Sequence, residues 1–246
     1  MAFLTAAFFI TALLYAAVGF GGGSTYSALL ALSGLDYRLL PLIALACNIV
    51  VVAGSSVRFA RARVTPWRGA LGLSLLAAPA AFLGGLTPIA EDAFMLLLGA
   101  SLLLTGATML LPVAAERETE PARWARFMPL IAAPLGYLAG LVGIGGGIFL
   151  APLLHLSRWR DARAIAATAS LFILINSLFG LGGQLLKHGG DAFAGAIYEG
   201  LPLLLAVAIG GQIGSLLAVR YLPQRLIRWL TAALVIWVGA RLLLGL

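Results

Sequence analysis

Long apolar stretches alternate with short polar breaks along the whole chain. Apolar segments run over 3–18, 24–33, 39–60, 69–89, 93–112, 127–142, 148–156, 162–186, 194–219 and 223–245. The breaks are RFARARVTPWR (58–68), TPIAED (87–92), AAERETEPARWAR (114–126), RWRDAR (158–163), KHGGD (187–191) and RYLPQR (220–225). Six segments (39–60, 69–89, 93–112, 162–186, 194–219 and 223–245) can cross a hydrocarbon core of about 30 Å as helices. The four segments beside the glycine runs GFGGGS and GIGGGI are short for a span. Segment 24–33 yields about 15 Å of helix, half a membrane.

The two glycine runs are one pattern written twice. Gly19-Phe-Gly-Gly-Gly23 recurs as Gly143-Ile-Gly-Gly-Gly147, Asp36 recurs near Asp161, Asn48 as Asn176, and Gly84-Gly85 as Gly210-Gly211. The sequence offset stays between 124 and 128 throughout, which indicates an internal duplication. The expected division is a first repeat over 1–113, a cytoplasmic linker over 114–126 and a second repeat over 127–246. Each repeat is expected to hold a glycine-containing hairpin (3–33 or 127–156) and three spans.

Composition sets the solvent. The chain is 62% hydrophobic and 10% charged, with mean hydropathy +1.05. That excludes an ordinary soluble domain of 246 residues and makes the lipid bilayer the expected partner. The net charge of +7 does not call for nucleic acid, because the bases sit in loops. If each hairpin enters and leaves on one side, all of the 16 bases except Arg38, Lys187 and Arg241 share a face. If each glycine segment were one continuous span, the bias would nearly vanish. Trp67, Trp124, Trp159 and Trp229 adjoin arginines on that same face, as an interfacial belt requires. The positive-inside rule makes this face cytoplasmic and puts both termini on the other side of the cell (inner) membrane. A hairpin plus three spans inserts the second repeat upside down. The expected fold is therefore an all-α polytopic membrane protein of two inverted repeats, a plan common among secondary transporters.

The glycines bear on chemistry. Unwound backbone at membrane depth survives only inside protein or beside water. A short helix is expected to start after each turn, at Ser24 and at Ile148. The first N–H groups of such a helix have no intrahelical partner and favour an anion. In an inverted repeat the two short helices converge. Gly21, Gly22, Gly23, Ser24, Thr25, Gly145, Gly146, Gly147 and Ile148 are thus candidate contacts for a small anionic substrate. Asn48 and Asn176 lie within apolar spans and either donate to that anion or tie helices together. Thr168 and Ser170 either line the same path or bond back to their own helix. Gln184, Gln212 and Cys47 read as structural.

The paired runs GFGGGS and GIGGGIFLAPLL, with the asparagines of ACNIVV and LINS, resemble the TauE/SafE (sulfite exporter, TSUP) family of membrane permeases. The resemblance covers the whole chain. It implies transport of sulfite, of sulfonates such as sulfoacetate, or of related organic acids. Ser24-Thr25 after the first run contrasts with Ile148-Phe149 after the second, so hydroxyl contacts would come from one repeat only.

No Cys/His metal cluster, phosphate-loop lysine or HExxH motif is present, so neither an enzyme nor a cofactor or metal is expected. No carboxylate falls at the expected midplane, which argues against a carboxylate proton relay. The membrane potential alone drives anion export, whereas uptake needs a coupling ion, H+ or Na+. An anion channel using the same helix ends is the alternative to a carrier. The sequence leaves substrate, direction and oligomeric state open.

Overall fold

The computed structural model describes residues 2–18, 20–110, 122–217 and 224–244, and all regular structure among them is helical. Gly19, most of the linker (111–121) and the loop 218–223 lie outside the described residues.

The helices follow the apolar pattern. α1 is Ala2–Val18, α2 Gly23–Leu32, α3 Leu39–Arg61, α4 Trp67–Leu86 and α5 Glu91–Leu110. A 3-10 turn at Arg123–Phe127 leads into α6, Met128–Val142, followed by α7, Gly147–Leu156. α8 runs from Ala162 to Leu217 with a non-helical break at Gly189 (φ 73°, ψ −169°), and α9 is Gln224–Leu244. Among the described residues, six helical stretches are long and apolar enough to cross a membrane: α3, α4, α5, Ala125–Val142, and two arms of α8, Ala162–Gly189 and Ala194–Gly214. The set differs in one member from the six expected. The 3-10 turn lengthens the α6 segment to 18 residues, and the described apolar part of α9 is shorter, Ala232–Leu244.

Some boundaries move for local reasons. TPIAED was expected to be a break throughout, yet Glu91 and Asp92 form the first turn of α5. Acidic side chains are stabilised there by the helix dipole. KHGGD interrupts the helix only at Gly189, because a single residue with positive φ is enough to bend the chain.

Packing is helix on helix through small residues. α3 lies along α8, α5 along α9, and α4 between α6 and α8. α1 lies along the second arm of α8, where Gly210 and Gly214 press on the carbonyls of Phe9 and Leu13. α6 lies along α4 in the same manner, with Gly136 and Gly140 on the carbonyls of Ala77 and Ala81. Such close approach is how membrane helices associate without a hydrophobic driving force.

The loops gather at two ends. Residues 63–66, 160–161 and 163–164 line one shared depression, and Ala122 N–H donates to Ser157 O at 2.9 Å. At the opposite end, residues 37–38 and 88–89 from two loops and 187–188 from the end of the first arm of α8 line another cavity. α3 and α7 finish at the first end with the same turn. Arg63 (φ 56°) and Arg158 (φ 51°) are left-handed, and Val64 N–H reaches Phe59 O as Trp159 N–H reaches Leu154 O.

Gly140 and Gly72 give opposite expectations. A Cβ at Gly140 meets Ala81 O and the Gly85 N–H, whereas nothing lies within 4 Å of one at Gly72. Gly140→Leu should destabilise the protein by about 1–3 kcal/mol and lower its melting temperature in detergent. Gly72→Leu should leave that temperature unchanged.

Candidate functional site

Residues 2–32 do not form one rod. α1 ends at Val18 and α2 begins at Gly23. Likewise α6 ends at Val142 and α7 begins at Gly147. Gly22 (φ 82°) and Gly146 (φ 76°) are left-handed N-caps of α2 and α7, without a side-chain cap. Forcing an L side chain into that region costs about 1–2 kcal/mol, which is why glycine stands there. Each short helix starts one residue before the expected Ser24 and Ile148, because the last glycine of each run already has helical angles. The first turns of α2 and α7 contain no acidic residue. Their leading N–H groups therefore keep their partial positive charge directed at the turns.

The two turns meet at Asn48. This side chain of α3 is fully buried, and its Nδ2 donates to Ile144 O in the second turn at 3.3 Å. A Cβ at Gly21 would lie 2.5 Å from Asn48 Oδ1, and one at Gly145 would lie 2.8 Å from Nδ2. A Cβ at Gly23 would strike Asn48 Nδ2 and come within 2.5 Å of Ile144 O. One amide thus touches both turns and leaves no space for a side chain on either.

Buried polar atoms without a protein hydrogen-bond partner stand on α2, α3 and the first arm of α8. They include Ser24 Oγ, Tyr26 Oη, Ser27 Oγ, Asn48 Oδ1, both amide atoms of Asn176 and Ser177 Oγ. Leaving such a group unpaired in a dry interior costs about 1–3 kcal/mol, so several together suit a polar ligand better than apolar packing. None of these groups carries a formal charge.

The other expected residues divide. Thr25 is engaged, sharing a 2.9 Å hydroxyl hydrogen bond with Tyr15. Ile148 is buried in the first turn of α7. Thr168 donates to Ala164 O at 2.8 Å within its own helix. Ser170 bonds to Ser56 at 3.0 Å and to Val52 O at 3.4 Å, and Val52 packs on Gly21. Gln184 donates to Gly140 O at 2.8 Å and Leu141 O at 3.3 Å, satisfying carbonyls at the end of α6. The asparagines do not occupy matching places. Gly21 and Gly23 face Asn48, whereas the side chain that Gly145 and Gly147 both face is Ile173. Asn176 is three residues beyond Ile173, nearly one helical turn along α8.

Three groups were missed. Tyr26 is fully buried, stacks on Phe8 at 4.7 Å between ring centroids, and turns its ring against Gly22. Ser27 and Ser177 are fully buried beside it and beside Asn176 in sequence. The run Ser24-Thr-Tyr-Ser27, four hydroxyl groups directly after a glycine turn, was the available signal.

Backbone broken at membrane depth and enclosed by protein is a device of transporters, and this protein is a membrane transporter. It belongs to the sulfite exporter TauE/SafE family, whose family model matches residues 4–242. It is similar to a probable membrane transporter protein of Sinorhizobium fredii, with 35% identity over 246 residues, covering 98% of this chain and 97% of that one. It also resembles a probable membrane transporter protein of Methanocaldococcus jannaschii, with 24% identity over 217 residues, covering 82% and 78%. No solved structure matches the chain.

Asn176 separates a ligand role from a structural one. Replacing an unpartnered buried amide that serves only packing is neutral or stabilising. Asn176→Leu should therefore keep its melting temperature. A lost hydrogen bond to a charged ligand, about 1.5–3 kcal/mol, should raise the half-saturation constant for transport about 10- to 100-fold. An unchanged constant would assign Asn176 to packing.

Proposed function

We propose that the protein is a secondary transporter of a small oxyanion, with sulfite, a sulfonate such as sulfoacetate, or a related organic acid as substrate. The anion lies between the N-termini of α2 and α7. The observation that carries this reading is the meeting of two uncapped glycine turns at Asn48, amid unpartnered hydroxyls and amides. Helix N-termini and neutral donors hold an oxyanion without a full counter-charge. Binding of that kind is weak enough to release.

The carrier reading is favoured over a channel by enclosure. Residues 21–24 and 143–148 are all buried, as a carrier site closed off from both sides requires. An inverted repeat fits the reciprocal packing, in which α1 lies on α8 as α6 lies on α4. Rocking of one repeat against the other would then expose the site alternately. The arginine-rich loops at 63–66 and 160–164 share one end, which the positive-inside rule makes cytoplasmic. Both termini then lie outside the cytoplasmic face of the inner membrane. Uptake against the membrane potential would require H+ or Na+.

Proteoliposomes should accumulate labelled sulfite or sulfoacetate with saturation and counterflow. Gly22→Leu and Gly146→Leu should remove this transport while the protein still reaches the membrane. Transport without saturation would make the protein a channel. Transport surviving both substitutions would contradict the site.

A further inference from the structure

The end of the molecule opposite the arginine-rich loops carries few cations. Arg38 and Lys187 nevertheless converge with His188 on a single cavity of about 290 Å³. They arrive from different elements: Arg38 caps the start of α3, and Lys187 and His188 close the first arm of α8. The guanidinium of Arg38 sits 5.7 Å from the centroid of the Tyr37 ring, which steadies it at the rim. Lys187 is part-buried and donates to Thr87 O at 3.4 Å, and an ammonium has three donors. Among the described residues that line this cavity, none is acidic. Two carboxylates outside the lining act on the Arg38 guanidinium, Asp36 and more weakly Glu91, and Asp36 also accepts the backbone N–H of Arg38 at 2.9 Å.

The cavity is joined to the glycine turns through its floor. Pro41 and Leu141 line it. Pro41 packs on Gly143, where a Cβ would come within 2.6 Å of its Cα. Leu141 lies in the last turn of α6, and its carbonyl accepts from Gln184, one turn before Lys187 on the same helix. Two of the residues that line the cavity, Pro41 and Leu141, thus adjoin the second glycine turn.

We propose that this cavity is an outer capture site for the same class of small oxyanion, held by Arg38 and Lys187 before it enters the neutral inner site. The proposal rests on the oxyanion reading above for its ligand class, but not on transport itself. Two positive charges in a narrow recess raise the local anion concentration and steer its entry. The inner site can then remain uncharged and release its ligand. A pair of fixed charges at the inner site would bind more tightly and turn over more slowly.

Lys187 is the only lysine in the chain, which makes a direct test available. In nanodiscs of zwitterionic lipid, the rate at which an acylating reagent modifies Lys187 is read by mass spectrometry of its peptide. Millimolar sulfoacetate should slow modification several-fold relative to chloride at equal ionic strength, which controls for screening. Arg38→Gln, a change at an exposed position, should abolish this protection. Arg38→Gln should also raise the half-saturation constant about 10-fold for substrate presented on this face, with the maximal rate kept. Equal modification rates with and without sulfoacetate, or protection that survives Arg38→Gln, would overturn the proposal. So would protection by anionic lipid alone, which would assign the cavity to a headgroup. Protection in a protein that moves no sulfite or sulfonate would leave the capture site standing and defeat the transport reading instead. Transport without protection would do the reverse.

Discussion

The backbone itself sets the terms of this structure. A peptide N–H or C=O at membrane depth needs a partner, and lipid supplies none. An interrupted helix therefore survives only where protein surrounds the break. Here two glycine breaks meet at one side chain, and neighbouring helices cover the rest of each. Asn48 of α3 donates to Ile144 O in the second turn while lying against Gly21 and Gly23 of the first. Gln184 of α8 satisfies the last carbonyls of α6. Glycine follows from this geometry: left-handed caps at Gly22 and Gly146, and no volume for a Cβ at Gly23 or Gly145.

The same constraint generates a binding chemistry. Helices that begin at the break direct their unpaired N–H groups toward it. Hydroxyls and amides buried nearby add donors with no protein acceptor. The result is an electropositive but uncharged interior, suited to the small oxyanion proposed above. Full positive charges stand at the ends of the molecule instead, in the arginine-rich loops and around Arg38 and Lys187. Strong long-range attraction is thus kept apart from the place where a ligand must also be let go.

Much of this was legible in the chain. Spans are read from apolar length and breaks from glycine, both local properties, and the helices fall within a few residues of those expectations. The family follows from glycine runs whose context carries that physical meaning. What sequence could not show was register between helices. Asn48 and Asn176 align at an offset of 128, the glycine runs at 124, and the difference is about one turn. A slip of one turn leaves a residue on the same helix face, so it passes unnoticed in a string. In the structure Ile173, not Asn176, meets the second turn as Asn48 meets the first. Tyr26 is likewise settled by packing, although the hydroxyl run Ser24–Ser27 hinted at its role. It reads as one more apolar residue of α2 until Phe8 covers its ring and leaves its hydroxyl without a partner.

The most direct measurement is an electron cryo-microscopy map of the protein with sulfoacetate bound. Sulfonate density should lie between the starts of α2 and α7, within hydrogen-bond reach of their first N–H groups and of Asn48. A continuous helix through residues 2–32, or a ligand bound away from both glycine turns, would contradict the account.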